Sequence, residues 1–306
     1  MPLVGIFCCE NRPKSGGLQK AAKYGIIMDT IGVIRAYARK GGNVNPFDMG
    51  VLAKKAMLAA LDTTPKPGLV DRETAGPHTD MDYSTMQKAI EAVAPHMVTF
   101  GQTGLFLADK TDEQVSHVMQ EVGRAALADM YQATGGVNAL KGTVLALGLY
   151  ITAYYRLYRK GVEIDSTSLS AQISALAQGI ERERDSHGAW VAESYQVEGA
   201  LGEARCGYAR WLTEGLWLYR KLEGEHRRLR LLLYIMSQLK DSCAYYRAGA
   251  ELAENARTIA KYLYEHFDIE DVRTADRYFE RCHLSMGGSG DMLALVLLAD
   301  LTLQRE

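Results

Sequence analysis

The sequence predicts an all-α protein, built as one compact domain of about ten to twelve helices. Apolar residues recur at intervals of three and four along most of the 306-residue chain, which is the spacing of an amphipathic helix. No stretch alternates apolar and polar residues next to a hairpin turn. No repeat of roughly 20–50 residues indicates a solenoid. We therefore expect a leader over residues 1–17 and a single helical domain over residues 18–306.

Two helices are predicted in the first sixty residues. The first covers Leu18–Lys40, where apolar residues keep helical spacing until two glycines stop the run. The second begins at Asn45, an N-cap residue, with Pro46 at its first position and Asp48 in its first turn. It delivers the chain into a proline-rich turn at Thr63.

The next helices are bounded by proline, a capping box and glycine. The helix that begins after Asp82 is predicted to be interrupted by Pro95 and followed by a loop at residues 100–104. A capping box that starts at Thr111 opens another helix. After a glycine turn, residues 142–160 are apolar nearly all round, which predicts a central, buried helix.

The second half of the chain is also predicted to be helical. Ser166 or Thr167 caps a helix that ends in the charged run of residues 181–185, whose alternating signs favour a solvent-exposed face. Five more helices are predicted over Ser194–Cys206, Tyr208–Leu222, His226–Leu239, Arg247–His266 and Gly290–Gln304.

Composition excludes several classes of protein. A net charge of −2 and a pI of about 6.4 do not suit a protein that coats nucleic acid. Five scattered cysteines without a CxxC pair, and an apolar start without a basic region, indicate a reduced, cytoplasmic protein that lacks a disulfide framework or zinc knuckle. The apolar runs are too short, or too often broken by acids, to span a membrane.

The most unusual stretch of the chain runs from Thr63 to Asp82. Prolines on both sides of a lysine cannot continue a helix, so we expect an irregular loop. Irregular backbone with charges of both signs between helices is typical of a site for chemistry, and a solvated connector is the alternative. The charged and titratable residues of this loop include Lys66, Asp71, Arg72, His78, Asp80 and Asp82.

Four glycine-containing turns lie beside helix ends. They cover residues 135–142, 199–205, 241–249 and 285–291. Free N–H groups at a helix start bind anions where glycines let the ligand approach, and a nearby cation would neutralise phosphate. Simpler structural roles remain open, with Ser289 as a helix N-cap and Lys141 as a surface lysine.

Acidic residues and one histidine suggest metal-assisted chemistry. Asp80 and Asp82 either cap the following helix or bind Mg²⁺, which is commonly shared with phosphate oxygens. Asp241 and Asp291 are further candidate ligands or bases. His78 is either a general acid/base or an ordinary turn residue. Because GxSxG, P-loop and GxGxxG patterns are absent, the residues favour positioning and charge neutralisation of a polyphosphate without a covalent intermediate.

The run Thr64–Arg72, with His78 and Asp80-Met81-Asp82 after it, resembles the signature of the triphosphoribosyl-dephospho-CoA synthase family, the CitG and MdcB proteins. The resemblance covers roughly residues 45–305. The later motifs follow in family order: Gly136-Val137-Asn138 with Lys141-Gly142, Gly202-Glu203-Ala204, Asp241 with Arg247, and Gly287-Gly288-Ser289 with Asp291.

This resemblance implies an all-helical transferase. Its substrates would be ATP and 3′-dephospho-CoA, with no role for nucleic acid or membrane. The implied reaction joins the triphosphoribosyl group of ATP to the 2′-hydroxyl of dephospho-CoA and releases adenine. The product is the precursor of the acyl-carrier prosthetic group of citrate lyase or malonate decarboxylase. The apolar helix over residues 142–155 suits a core or a homodimer interface equally.

The chemistry of that reaction assigns roles to the motif residues. It requires a metal and cations on the triphosphate, a base at the attacking hydroxyl and an acid at adenine. Glu203 is the candidate base or sugar-binding carboxylate, with Asp71 next and His78 as a further catalytic candidate. The candidate ligands of Mg²⁺ are Asp80, Asp82, Asp241 and Asp291. The candidate substrate-binding residues are Lys66, Arg72, Asn138, Lys141, Arg247, Gly287, Gly288 and Ser289.

Five positions depart from the family pattern. Ala139-Leu140 replaces Thr-His, Leu201 replaces arginine, Cys243 replaces asparagine and Met286 replaces proline. Each lost hydrogen-bonding partner costs a site about 1–3 kcal/mol. Three hypotheses follow: the synthase reaction itself, a divergent paralogue that uses ATP with another acceptor, or a nucleotide-binding homologue with little activity.

Overall fold

The computed structural model describes residues 45–303, which form helices and connecting segments with no β-strand among them. The all-α prediction is therefore confirmed for this part of the chain. The predicted leader and the helix Leu18–Lys40 lie outside the described residues, and the single domain from residue 18 stays a prediction. No helix in residues 45–303 is long and apolar enough to cross a membrane.

Twelve α-helices lie in residues 45–303. They are α1 (Pro46–Leu61), α2 (Tyr83–Phe106), α3 (Asp112–Thr134), α4 (Lys141–Arg159), α5 (Ser166–Gln178), α6 (His187–Tyr195), α7 (Gly199–Arg205), α8 (Leu216–Lys221), α9 (Arg227–Gln238), α10 (Ser242–Glu265), α11 (Ile269–Arg281) and α12 (Gly287–Thr302). A π-helical segment, Trp211–Gly215, directly precedes α8.

Helices α4 and α12 form the centre of the bundle. Leu147, Tyr150 and Ile151 of α4 are fully buried, which confirms the prediction of a central helix. Helix α12 packs against α1, α4 and α9, and its residues 292–299 are buried without interruption. The first turns of α4 and α12 therefore lie in the interior, where their residues face the starts of other helices.

Several local signals act as predicted. The Asn45 side chain accepts the backbone N–H of Asp48, and Pro46 occupies the first helical position. The capping box at Thr111 is complete. The turn before α4 contains Gly135 and Gly136 with φ of 72° and 98°. These features depend on a few adjacent residues, so the sequence alone predicts them.

Helix α2 contradicts the predicted interruption at Pro95 and the predicted loop at residues 100–104, because it runs straight through both. An internal proline costs roughly 3 kcal/mol, whereas burying one large apolar side chain contributes roughly 1.5–3 kcal/mol, and α2 buries Met97 and Phe100 among others. The glycines in this stretch serve packing. A Cβ added to Gly104 would clash with the backbone of α4.

The charged run of residues 181–185 is not the helix face that was predicted. Helix α5 ends at Gln178, and its N-cap is Asp165, one residue before the predicted one. The run is irregular, and Arg182 donates to the carbonyl oxygens of Gly188 and Glu198 at 2.9 and 3.1 Å. These tertiary hydrogen bonds replace the backbone bonds that a longer helix would make.

The prediction of one helix over Ser194–Cys206 is also wrong, since the helical structure is interrupted between α6 and α7. Gln196 and Gly199 there have φ of 57° and 60°. Helix α12 begins earlier than predicted, at Gly287. Helix α10 begins at Ser242 and is kinked at Gly249, whose φ of 80° and ψ of 171° are not helical, close to the predicted helix start at Arg247. Helix α11 was missed, although Asp268, which accepts two backbone N–H groups of its first turn, is a readable N-cap signal.

Candidate active site

A cavity of about 700 Å³ lies where the first turns of α4, α10 and α12 approach the Thr63–Asp82 loop. Its volume is that of a typical ligand site, roughly 300–1,000 Å³. Eleven of the predicted site residues line it: Lys66, His78, Asp80, Asn138, Lys141, Glu203, Asp241, Arg247, Gly287, Gly288 and Asp291. The other four, Asp71, Arg72, Asp82 and Ser289, do not.

Lys66 lies on the cavity wall, yet its ammonium group is held by the protein. The side chain is buried, and Nζ donates to the carbonyl oxygens of Ala60 and Leu61 at the end of α1, at 2.9 and 3.2 Å. Burial lowers the pKa of Lys66 to about 8, and the nearby Asp71 and Asp62 oppose this. The lysine caps a helix C-terminus, which is a favourable place for a cation.

Asp71 shapes the loop from within. Its carboxylate accepts the backbone N–H groups of Lys66 at 2.7 Å, Glu73 at 2.7 Å and Thr74 at 3.0 Å. These bonds use most of the acceptor sites of a carboxylate. Asp71 therefore stabilises the turn, and nothing in its position supports its candidate role as the base.

Arg72 and Asp82 lie on the outer side of the loop. The guanidinium of Arg72 pairs with Asp62 at 2.7 Å and lies over the ring of Tyr83. The exposed Asp82 caps α2, because its carboxylate accepts both the backbone N–H and the hydroxyl of Thr85 at 2.8 Å. Of the two interpretations open for Asp82, the structure contains the helix cap.

His78 and Asp80 are the residues of the loop that reach the wall with hydrogen-bonding capacity unused. The Nε2 atom of His78 lies 3.2 Å from the Ser285 hydroxyl. Its buried Nδ1 has no hydrogen-bond partner among the described residues and lies 3.8 Å from a carboxylate oxygen of Asp80. Burial and the Arg247 guanidinium lower the pKa of His78 to about 4, so the imidazole is neutral at pH 7.

Asp241 ties the starts of α10 and α12 together. One oxygen accepts the backbone N–H groups of Cys243 at 3.0 Å and Gly288 at 3.2 Å. The other accepts the backbone N–H of Ser289 at 2.7 Å and its hydroxyl at 2.9 Å. Burial raises the pKa of Asp241, and these bonds oppose it. Four hydrogen bonds fill the acceptor sites of a carboxylate, which leaves no site for a metal ion.

Asp291, near the start of α12, keeps acceptor capacity. It accepts the Thr143 hydroxyl at 2.5 Å, at the start of α4. Burial and the nearby Asp241 raise its pKa to about 7, and the bonds from Thr143 oppose this. A Cβ on Gly142 would overlap the carboxylate of Asp291, so glycine is required at this approach.

These carboxylates determine which metal site is feasible. The described residues contain no group of three or more His, Cys, Asp or Glu side chains that could hold a metal ion by themselves. Mg²⁺ often uses one or two carboxylates and completes its shell with water and substrate phosphates. Asp291 and Asp80 are wall carboxylates with capacity left, and the chemistry of each suits Mg²⁺ that is shared with a phosphate substrate.

Glu203 stands next to a strained segment of backbone. Its Oε2 accepts the indole N–H of Trp211 at 2.7 Å, and burial raises the pKa of the carboxyl group. Tyr208 between them has a φ of 51°, unusual for a residue with a side chain. Trp211 opens the π-helical segment, a feature frequent at functional sites.

Tyr208 itself is almost fully buried, and its hydroxyl has no hydrogen-bond partner among residues 45–303. Burial raises its pKa, and the negative charges of Asp291 and Glu203 add to this. Sequence reasoning missed Tyr208 and Trp211, since both read as ordinary apolar residues of a helix. A π-helical segment after a tyrosine with positive φ has no sequence signal that would have revealed it.

Cations and an amide occupy the rim. Arg247 is exposed on α10 and makes no ion pair within residues 45–303. Lys141 pairs with Glu183 across the opening, and Asn138 lies beside it on the wall. The site thus combines helix N-termini and cations at the opening with carboxylates inside.

Comparison with known proteins gives one family. The model of the CitG family, described as ATP:dephospho-CoA triphosphoribosyl transferase, matches residues 46–306. The chain is 33% identical over 261 residues to 2-(5″-triphosphoribosyl)-3′-dephosphocoenzyme-A synthase of Klebsiella pneumoniae, covering 79% of this chain and 86% of that protein. A probable synthase of the same name from Azotobacter vinelandii is 32% identical over 264 residues, covering 81% and 89%. No solved structure matches.

Proposed function

The chain belongs to the family of ATP:dephospho-CoA triphosphoribosyl transferases, and from this premise we propose that it transfers the triphosphoribosyl group of ATP to the 2′-hydroxyl of 3′-dephospho-CoA, with release of adenine. The observation that carries the proposal is the half-buried carboxylate of Glu203, anchored by Trp211 on a wall next to three helix N-termini. This arrangement places a positioned base next to a binding site for polyphosphate.

The proposed reaction is one substitution at the anomeric carbon of the ATP ribose. The bond from this carbon to adenine breaks, and its electron pair leaves with adenine. A bond to the 2′-oxygen of the acceptor forms. The hydroxyl loses one proton and adenine gains one, so protons balance, and the triphosphate chain stays intact.

Glu203 is the base in this proposal. Trp211 holds one of its oxygens and leaves the other available to accept the hydroxyl proton. Burial raises the pKa of Glu203, which strengthens it as a base toward neutral pH. His78 is neutral there, and it suits a hydrogen bond to substrate better than proton donation to adenine.

The triphosphate would lie along the helix starts. The helix dipole favours anions at those ends, and Arg247 and Lys141 can turn toward phosphate. Asp291 and Asp80 would hold Mg²⁺, which neutralises phosphate charge when it is bound. Lys66 and Arg72 would contribute through the loop they stabilise.

Incubation with ATP, Mg²⁺ and dephospho-CoA tests the proposal. We expect free adenine by chromatography and, in equal amount, a CoA species heavier by one triphosphoribosyl group by mass spectrometry. ATP that is bound without release of adenine would overturn it and favour a nucleotide-binding homologue. We also propose that the product supplies the carrier prosthetic group of citrate lyase or malonate decarboxylase, which a transfer assay with each carrier would decide.

A different acceptor is the second candidate function. The observation that favours it is that four departures from the family pattern, Ala139, Leu140, Leu201 and Cys243, all line the cavity. Their side chains offer little hydrogen bonding to a polar acceptor. Adenine released only when another hydroxyl compound replaces dephospho-CoA would establish this function in place of the first.

A further inference from the structure

An aromatic cluster lies at the rim of the cavity, on α6 and the first two turns of α10. The rings of His187 and Tyr246 are stacked, with centroids 3.8 Å apart and planes inclined by 14°. Trp190 stands edge-on to Tyr246 at 5.7 Å. His187 and Tyr246 both line the cavity, and both are exposed.

The position of this stack distinguishes it from ordinary aromatic packing. Aromatic pairs often pack only against each other. Such a pair, Tyr262 and the C-cap residue His266, lies at the far end of α10, with centroids 4.7 Å apart and no place on the cavity wall. Phe100, the other carbocyclic ring on the wall, is only 2% exposed. The stack of His187 and Tyr246 therefore offers open ring surface to a ligand inside the cavity.

The spacing along α10 fits the shape of a nucleotide. Tyr246 follows the N-cap Asp241 by five residues, which is about 7.5 Å along the helix axis. Arg247 lies beside it on the wall. A nucleotide carries its base and its phosphates on opposite ends of one ribose, so a base at Tyr246 directs the phosphates toward Arg247 and the helix starts.

We propose that His187 and Tyr246 form a stacking platform for the adenine ring of a nucleotide substrate. The proposal rests on the proposed function for the identity of the nucleotides. An adenine ring would extend the existing stack by one more plane. ATP and dephospho-CoA both carry adenine, so the experiment must separate the two sources.

The test compares Tyr246→Leu and His187→Ala with Tyr246→Phe and with Tyr262→Leu. The first two remove a ring of the platform, Tyr246→Phe keeps the ring, and Tyr262→Leu breaks the matched stack away from the cavity. Loss of one stacked base costs ~1–3 kcal/mol, a factor of about 5 to 150 in affinity. We expect that weakening in the first two variants and near wild-type values in the other two.

Binding and turnover arms identify the source of the adenine. Calorimetric titration with ATP, with AMP and with dephospho-CoA gives each dissociation constant, and adenine release gives each KM. Weakening confined to ATP and AMP assigns the platform to the donor, and weakening confined to dephospho-CoA assigns it to the acceptor. Unchanged affinity for all three in Tyr246→Leu and His187→Ala, with both variants folded, overturns the platform.

The binding arm also separates this inference from the proposed function. If the wild-type protein binds ATP but releases no adenine, the transfer reaction fails, while the comparison of AMP with ribose 5-phosphate still tests the platform. Only AMP carries the base, so Tyr246→Leu should weaken AMP and leave ribose 5-phosphate unchanged. If the wild-type protein binds none of these nucleotides, both proposals fail.

Discussion

The Thr63–Asp82 loop and an inner cluster, formed by Glu203, Tyr208 and Asp291, are two parts of one site. They differ in how far the hydrogen-bonding capacity of their polar groups is used. In the loop, Lys66 is bound by carbonyl oxygens and Asp71 by backbone N–H groups. In the inner cluster, burial raises the pKa of all three groups, and the Tyr208 hydroxyl has no partner among the described residues.

This difference indicates which part of the site reacts. Buried polar groups in proteins are nearly always satisfied, and each exception costs about 1–3 kcal/mol. The loop is the most recognisable motif in the sequence, yet most of its charges stabilise its own turn. The inner cluster has weaker sequence signals and retains unused hydrogen-bonding capacity. We infer that the loop frames the site and the inner cluster reacts.

Glu203→Gln should have the largest effect. General-base catalysis contributes roughly 10²–10⁴-fold, so we expect a loss of that order in the rate of adenine release. The amide oxygen of glutamine can still accept the Trp211 N–H, and the fold should survive, as circular dichroism would check. Glu121→Gln on the exposed face of α3 is the control. Activity within a few-fold of wild type would remove Glu203 from the chemistry.

Asp291→Asn and Asp82→Asn compare the two regions directly. A metal ion is worth several kcal/mol in charge stabilisation, so Asp291→Asn should lower turnover by roughly a hundredfold and weaken its dependence on Mg²⁺. Asn is as good an N-cap as Asp, so Asp82→Asn should keep its melting temperature and nearly all activity.

The opposite result would break the comparison. If Asp82→Asn abolished Mg²⁺-dependent turnover in a folded protein, the acid-x-acid pair would be a metal site as the sequence suggested. The loop would then react as well as frame the cavity.

Asp276 packs on the loop and, like the inner cluster, is unfavourably placed for its charged form. It is 4% exposed and accepts the Gly68 N–H at 3.2 Å. Burial, with help from Asp71, raises its pKa to about 7, and the Gly68 bond opposes this. The folded protein therefore keeps a proton that the unfolded chain loses above its ordinary pKa of 3.8.

The sign of the resulting pH dependence follows from that proton. The contribution of Asp276 to stability is fully present below about pH 4 and is lost as the pH rises through about 7. Asp276→Asn cannot ionise, and its oxygen can still accept the Gly68 N–H. We expect the variant to exceed wild type in unfolding free energy at pH 8 by about 1–2 kcal/mol, which is less than the roughly 4 kcal/mol that the whole pKa shift would give at about 1.4 kcal/mol per unit.

Urea denaturation of both proteins at pH 4, 6 and 8 measures this difference. The advantage of Asp276→Asn should shrink steadily toward pH 4. An equal difference at all three values would show that Asp276 does not titrate in this range.

Tyr208→Phe should have the smallest effect, and we expect it to raise the stability of the protein. Removing an unpaired buried hydroxyl removes its desolvation cost, part of the 1–3 kcal/mol for such a group, while the ring keeps its packing. We expect the variant to be more stable by up to about 1 kcal/mol in chemical denaturation. A loss of stability would reveal a partner for the hydroxyl and would make the inner cluster as satisfied as the loop.

Sequence reasoning succeeded for the site where a motif and a helix end coincide. Eleven predicted residues line the cavity, because glycine turns and caps place helix starts in a way that local sequence specifies. It did not anticipate which charges were already bound. Lys66 looked like a phosphate ligand, and only the fold brings the α1 carbonyl oxygens to its ammonium group.

The sequence by itself determined the helical class, the central position of α4, the caps at Asn45 and Thr111, and the family. Each depends on spacing within a few turns or on motifs read in order. The tertiary structure alone decided that α2 continues through Pro95, that Asp291 meets Thr143 across 148 residues of chain, and that Glu203 is anchored by Trp211. These outcomes depend on burial and on contacts between distant segments, whose free energies outweigh local preferences.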